Sequence, residues 1–170
     1  MANLTHVVIV KQGAERIRQW RVEHPDEGFN LREAKLRGAE LQEVDLQDAD
    51  LQDADLQEAN LRGANLLEAN LLGANLQDAD LRGANLRGAF LEAAVLRGAD
   101  LQMANLQDAD LQEANLSRTN LFDIGNVYQA YPYSDTSRTY ASSTRIYQIP
   151  PDLVVKRQAI DIAEILSLLI

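Results

Sequence analysis

Side chains able to move a proton or hold a metal are mostly carboxylates here: 26 Asp and Glu against two histidines and no cysteine. General acid–base work needs two carboxyl groups in unlike, partly desolvated settings. These instead recur at short intervals among polar neighbours, and eight fall between Glu40 and Glu58 with no base among them. Carboxylates spread over walls open to water keep ordinary pKa values, so no acid–base pair is expected. A Ca²⁺ ion bridging neighbouring Asp side chains is chemically conceivable, but a loop supplying cage-like ligands is missing. His6 and His24 have no G-x-S-x-G or phosphate-cradling glycine loop near them and read as ordinary surface histidines. Without cysteine there is neither a disulfide framework nor a thiolate metal site. No catalytic, cofactor-binding or metal-ligating residue is assigned, and an enzyme is not expected.

The carboxylates are placed by a repeat. Leucine occupies every fifth position from Leu31 to Leu121, nineteen in all. Two residues before each leucine stands alanine in sixteen cases, Phe29, Val44 and Thr119 being the exceptions, with Asp or Asn dominating the position between. A period of five fits neither regular element. It advances an α-helix by about 1.4 turns, smearing leucine around the surface, and throws successive leucines onto opposite faces of a straight strand. It fits a very short strand followed by a corner: alanine and leucine then point one way, and the residue between them points out. Glycine ends the pentapeptide six times, as a positive-φ turn favours, whereas Asp or Glu ends it ten times. On that count the corners are not all expected to be of one type. The repeat contains no proline, consistent with a backbone that donates hydrogen bonds throughout.

The A-[DN]-L-x-x pattern, as in Ala49-Asp50-Leu51-Gln52-Asp53, resembles the pentapeptide repeat family. The resemblance implies an all-β solenoid, a right-handed four-sided β-helix with four pentapeptides per coil. Residues 29–123 would then make about 4.75 coils, roughly 23 Å tall at the spacing of paired strands, with leucine filling the axis.

The flanks differ. Residues 1–28 are expected to be an N-terminal helical cap, because an open coil exposes leucine and unpaired backbone. Ala14, Ile17 and Trp20 recur at helical spacing between Gly13 and Pro25, which predicts a helix at about 14–23. Val7–Val10 fits either a short helix or a short strand. The run Gly13-x-x-x-Ile17-x-x-Trp20-Arg21 also resembles the N-terminal segment of some cyanobacterial family members. Residues 124–149 abandon the pattern and hold all five tyrosines. They are expected to be irregular, laid partly along the solenoid wall. Residues 150–170, opening with Pro150-Pro151-Asp152, are expected to be a C-terminal capping helix with Asp152 as N-cap. Its tail is apolar nearly all round. Two readings stay open: a fully buried helix, or a homodimer contact through Leu166, Leu168, Leu169 and Ile170.

The net charge of −10 resides in the repeat, which carries 18 acids against 8 bases, while each flank is balanced. An acidic rod repels nucleic acid and anionic membrane and attracts basic surfaces. No apolar run is long enough for a membrane span or a signal-peptide core, and a soluble, cytoplasmic protein is expected. Departures from the repeat give the candidate partner surface. With four faces, Phe90 stands where Asp or Asn is usual, directly above Asn70. Leu67 and Leu72 replace Gln or Arg at the corners on either side one coil lower, and Val95 lies round the next corner. The function expected is a non-enzymatic protein-interaction scaffold, binding an unidentified protein through a wall or a cap. The resemblance also implies an alternative, an acidic mimic of B-DNA that binds gyrase, as in members conferring quinolone resistance. Those members commonly use phenylalanine at many central positions, and several carry loops projecting from the coils. Here all nineteen centres are leucine and no loop interrupts them.

Overall fold

The structure, a computed structural model, describes residues 1–121. The expected tyrosine-rich segment, the C-terminal helix and the dimer contact at Leu166, Leu168, Leu169 and Ile170 lie outside the described residues.

Backbone pairing follows the period of the sequence. Each outward residue pairs in parallel with the one twenty positions on, from Asn30 with Asp50 to Asp100 with Asn120. Four pentapeptides therefore complete one coil. Outward positions fall on four walls: the first carries Asn30, Asp50, Asn70, Phe90 and Asp110, and the second Lys35, Asp55, Asn75, Val95 and Asn115. The third carries Glu40, Asn60, Asp80, Asp100 and Asn120, and the fourth Asp45, Asn65, Asn85 and Asn105. Only one residue per pentapeptide is paired as strand before the chain turns again, so no long strand exists among the described residues.

All five N–H groups of a typical pentapeptide are satisfied, as buried backbone requires. The amide of Asp50 donates down to Phe29 O (2.8 Å); those of Leu51 and Asp53 donate up to Asn70 O (2.8 Å) and Leu72 O (2.9 Å). The Ala54 N–H closes the turn on Leu51 O (3.0 Å), and the Gln52 N–H donates to the Asp50 side chain (3.2 Å). That last bond explains the outward Asp and Asn. Fourteen of them accept the amide two residues on, at 3.0–3.4 Å. A short side-chain oxygen held to its own backbone is what favours Asp and Asn in turns.

The corners are uniform, contrary to the expectation drawn from their composition. Every final pentapeptide residue from Glu33 to Arg118 has positive φ, between 55° and 73°, whether glycine or not. With the Ala N–H to Leu C=O bond this is the type II turn, left-handed at its third residue. Twelve non-glycine residues adopt that conformation, and in eight of them, from Glu33 to Ala93, the same amide donates to a carbonyl of the next coil, which holds it there. Glycine also leaves room for a neighbouring side chain at Gly73 and Gly98. A Cβ there would lie 2.6 Å from the Asp53 carboxylate and 2.2 Å from that of Asp78, respectively, on the corner one coil below.

The leucines from Leu31 to Leu106 are fully buried, with alanine or Val44 beside them. Two helices precede the coil. Helix α1 (Leu4–Lys11) is N-capped by Asn3, whose side chain accepts from the Thr5 and His6 amides. It is apolar on both sides, with Ile9 and Val10 buried but Leu4 and Val8 exposed, so periodicity could not separate it from a strand. Helix α2 (Ala14–Glu23) occupies the residues its spacing predicts and buries Ile17 and Trp20. These four residues join Phe29 and Leu31 in one continuous core. Phe29 replaces alanine where the core meets α2, its ring 4.2 Å from that of Trp20.

Candidate functional site

On the third and fourth walls, as on the lower half of the first, polar side chains one coil apart stand in register and bond to one another. Asn65 donates to Asp45 (2.9 Å), Asn85 to Asn65 (3.1 Å) and Asn105 to Asn85 (3.4 Å), a ladder up the whole fourth wall. On the first wall Asn70 donates to Asp50 (3.2 Å), and there the ladder stops at Phe90.

Phe90 keeps its backbone place, its N–H donating to Ala69 O (3.0 Å) and its C=O accepting from Leu71 N (2.8 Å). Its ring stands in solvent, the residue 54 % exposed. Phenylalanine offers no oxygen to the Glu92 amide two residues on, so an aromatic here forfeits both the turn bond and the ladder. Leu67 and Leu72 flank Asn70 at the corners one coil below and are half-buried; their amides donate to Asn65 and Asn70 side chains (3.4 and 3.2 Å). Val95 is half-buried on the second wall, where it stands between the polar residues Asn75 and Asn115. The uncharged corners Gly73 and Ala93 lie between Leu72 and Val95, while charged side chains are interleaved with the apolar ones: Glu92 between Phe90 and Val95 above Leu72, Arg87 above Leu67, and Glu68 beside Leu67. Met103, 64 % exposed, belongs to the corner between the third and fourth walls, away from this group. The four residues singled out in the described part of the chain thus share two adjoining walls and two neighbouring coils.

The acidic run is less bare than the sequence suggests. Pairing across coils brings arginines from outside it: Arg21 to Asp45 (3.5 Å), Arg32 to Asp50 (3.4 Å) and Arg37 to Glu58 (2.6 Å). Higher up, Arg82 bonds Asp80 and lies 3.9 Å from Asp100; its hydrogen bond holds the Asp80 carboxyl below the ordinary carboxylate value. No group of three or more His, Cys, Asp or Glu suited to a metal ion occurs among the described residues, nor a helix long and apolar enough to cross a membrane.

Three residues have roles the sequence reading missed. His6 is not a surface histidine: it is 8 % exposed, edge-on to the Trp20 and Phe29 rings, and its Nδ1 accepts the Asn30 N–H at 2.9 Å. His24 is half-buried, stacked flat on Trp20 at 4.8 Å. Arg21, one position past Trp20 and four past Ile17, reaches from α2 to the Asp45 and Gln47 carbonyls. The i, i+4 spacing to Ile17 was the available signal for Arg21; none marked His6.

Comparison with known proteins agrees with this architecture. A family model for pentapeptide repeats matches in eight copies, over residues 27–53, 49–88, 74–112 and 89–123. Among solved structures, the pentapeptide repeat protein Rfr23 of the cyanobacterium Cyanothece 51142 is 39% identical, over 58% of this chain and 67% of that one, with a TM-score of 0.54. A pentapeptide repeat protein of the Arabidopsis thaliana thylakoid lumen is 30% identical, over 58% and 72%, with a TM-score of 0.47. QnrB1, a plasmid-mediated fluoroquinolone resistance protein, is 16% identical over 55% and 62%, with a TM-score of 0.35. No curated protein matches the sequence. The twenty-residue pairing, the uniform corners and the family match lead to one assignment: the chain belongs to the pentapeptide repeat family, whose members form right-handed β-helices.

Proposed function

We propose that this chain is a non-enzymatic scaffold that binds another protein through the upper first wall and the adjoining corner of the second. In this reading the nineteen pentapeptides form about 4.75 coils, closed below by α1 and α2 and above by the C-terminal segment, in a cytoplasmic setting. A contact between two copies through Leu166, Leu168, Leu169 and Ile170 belongs to the same reading.

The observation that carries the proposal is Phe90. An exposed aromatic replaces a residue that elsewhere bonds both its own turn and the rung below. Apolar side chains on the corners beneath it and on the next wall extend the surface. Aromatic anchors with apolar neighbours are the usual anatomy of a protein contact. The alternative, an acidic rod in the DNA site of gyrase, rests on charge alone. Three of its lower-coil carboxylates are already engaged by arginine.

The test is a pull-down from bacterial lysate with wild type beside the double variant Phe90→Asn/Leu72→Gln, with gyrase supercoiling assayed in parallel. A protein retained by wild type and lost from the variant is the expected outcome. Retention unaffected by the variant counts against this wall, and inhibition of supercoiling at stoichiometric amounts replaces the scaffold with the DNA mimic.

A further inference from the structure

In the coils of the solenoid, the amide on the first wall donates to a carbonyl one coil below: Asp50 N to Phe29 O at 2.8 Å, Asn70 N to Ala49 O at 2.9 Å, Phe90 N to Ala69 O at 3.0 Å. Asn30, in the first coil, has no coil beneath it. Its amide donates to His6 Nδ1 at 2.9 Å instead. The imidazole nitrogen stands where the missing carbonyl would be. Other groups of the helical segment serve the same edge: Asn3 N–H donates to Asn30 O (3.0 Å), and the Arg21 guanidinium donates to Asp45 O and Gln47 O.

A carbonyl accepts at any pH, whereas an imidazole nitrogen accepts only without its proton. The Asn30 bond therefore fixes the neutral ring with hydrogen on Nε2. A proton on Nδ1 would point at the Asn30 N–H inside a box closed by the edges of Trp20 and Phe29. We propose that α1 and α2 form an acid-released latch, held on the first coil by unprotonated His6 and freed when Nδ1 takes a proton.

The charged groups around His6 divide. Glu27, on the segment joining α2 to the coil, favours the proton, and His24 of α2 opposes it. Arg21 of α2 lies over Phe29 at 5.5 Å from the ring centre. On the first coil, Glu33 is engaged by the N-terminal amine and Arg32 by Asp50. Burial outweighs the rest and lowers His6 below the ordinary imidazole value of 6.5. The released segment regains that ordinary value. The latch is therefore at full strength above about pH 6.5 and weakens as pH falls through the lowered value. Between the two values the released population rises up to tenfold per pH unit, and below them it levels off.

Trp20, the sole tryptophan, sits in the latch and reports it in the full-length protein. Acidifying wild type from about pH 7.5 to about 4.5 should shift and quench selectively excited Trp20 emission, with a midpoint below about 6.5, while far-ultraviolet dichroism of the solenoid holds. His6→Asn keeps an acceptor oxygen in place of Nδ1 but cannot titrate, so its emission should stay flat. His24→Gln should keep the transition. The latch is overturned by a His6→Asn protein that titrates like wild type, by loss of the transition in His24→Gln, or by a silent wild type. Should His6→Asn not fold, ring NMR of wild-type His6 decides. An Nε2–H ring titrating below its ordinary value supports the latch, and one titrating at or above it refutes the proposal.

Discussion

Phe90 is informative because of what an asparagine does in its place. Asn70, one coil lower, accepts from the Leu72 amide and donates to Asp50. Phe90 does neither. A net hydrogen bond contributes about 0.5–1.5 kcal/mol. Phe90→Asn should therefore stabilise the protein by about that amount, raising Tm by about 2–4 °C per kcal/mol in a chain of this size. Thermal melting of the single variant checks it, and a lowered Tm would mean that the ring is packed rather than exposed. A substitution that improves the fold while abolishing partner capture separates binding from structure. The sequence revealed that Phe90 departs from the pattern. It did not reveal why the pattern prefers Asp and Asn, because the bond from side chain to amide two residues on appears only once the turn is built.

At the scale of elements, the corner and the helix pair were read unequally. The corner's glycines pointed to positive φ, yet acids at most other corners argued against a single turn type. Asp53 shows why that inference failed: its amide bonds Leu72 O, so pairing with the next coil imposes the left-handed conformation that glycine merely makes easy. Helix α2 was legible from Ile17 and Trp20, while α1 was not, being apolar on both sides. The role of Arg21 rests on a bond to backbone far away in sequence. It is a guanidinium bonding carbonyls in a partly shielded position, and such bonds contribute about 1.5–3 kcal/mol. Arg21→Ala should lower the amide-exchange protection of α1 and α2 by up to that amount while leaving the amides around Leu71 unchanged. Equal loss at both sites would show that the helices and the solenoid open as one unit.

Over the whole molecule, leucine dictates the fold, and that much was plain from the sequence. Period five excluded helix and strand; the count of four units per coil came from the family resemblance, and the twenty-residue pairing agrees with it. Leu71 lies mid-axis with no exposed surface. Leu71→Asp would bury a charge with no partner and should destabilise by more than about 4 kcal/mol. Loss of the cooperative melt is the expected readout, and an unchanged melt would overturn the inward placement of leucine. The overall charge was also legible, but its local balance was not. Arg32 and Arg37 reach carboxylates 18 and 21 positions away, close to one coil, a distance at which the linear sequence shows no neighbour.

The twenty-residue pairing makes position along the chain an address: the remainder after division by twenty names the wall, and the quotient names the height. Inserting or removing five residues below Leu67 would leave every leucine inside and every corner intact, yet turn the apolar surface a quarter-turn about the axis. Inserting twenty would lift the surface by one coil without turning it. A lineage that lengthens or shortens such a rod by whole coils therefore keeps its binding face aimed in one direction, whereas single-pentapeptide changes preserve the fold and re-aim the face.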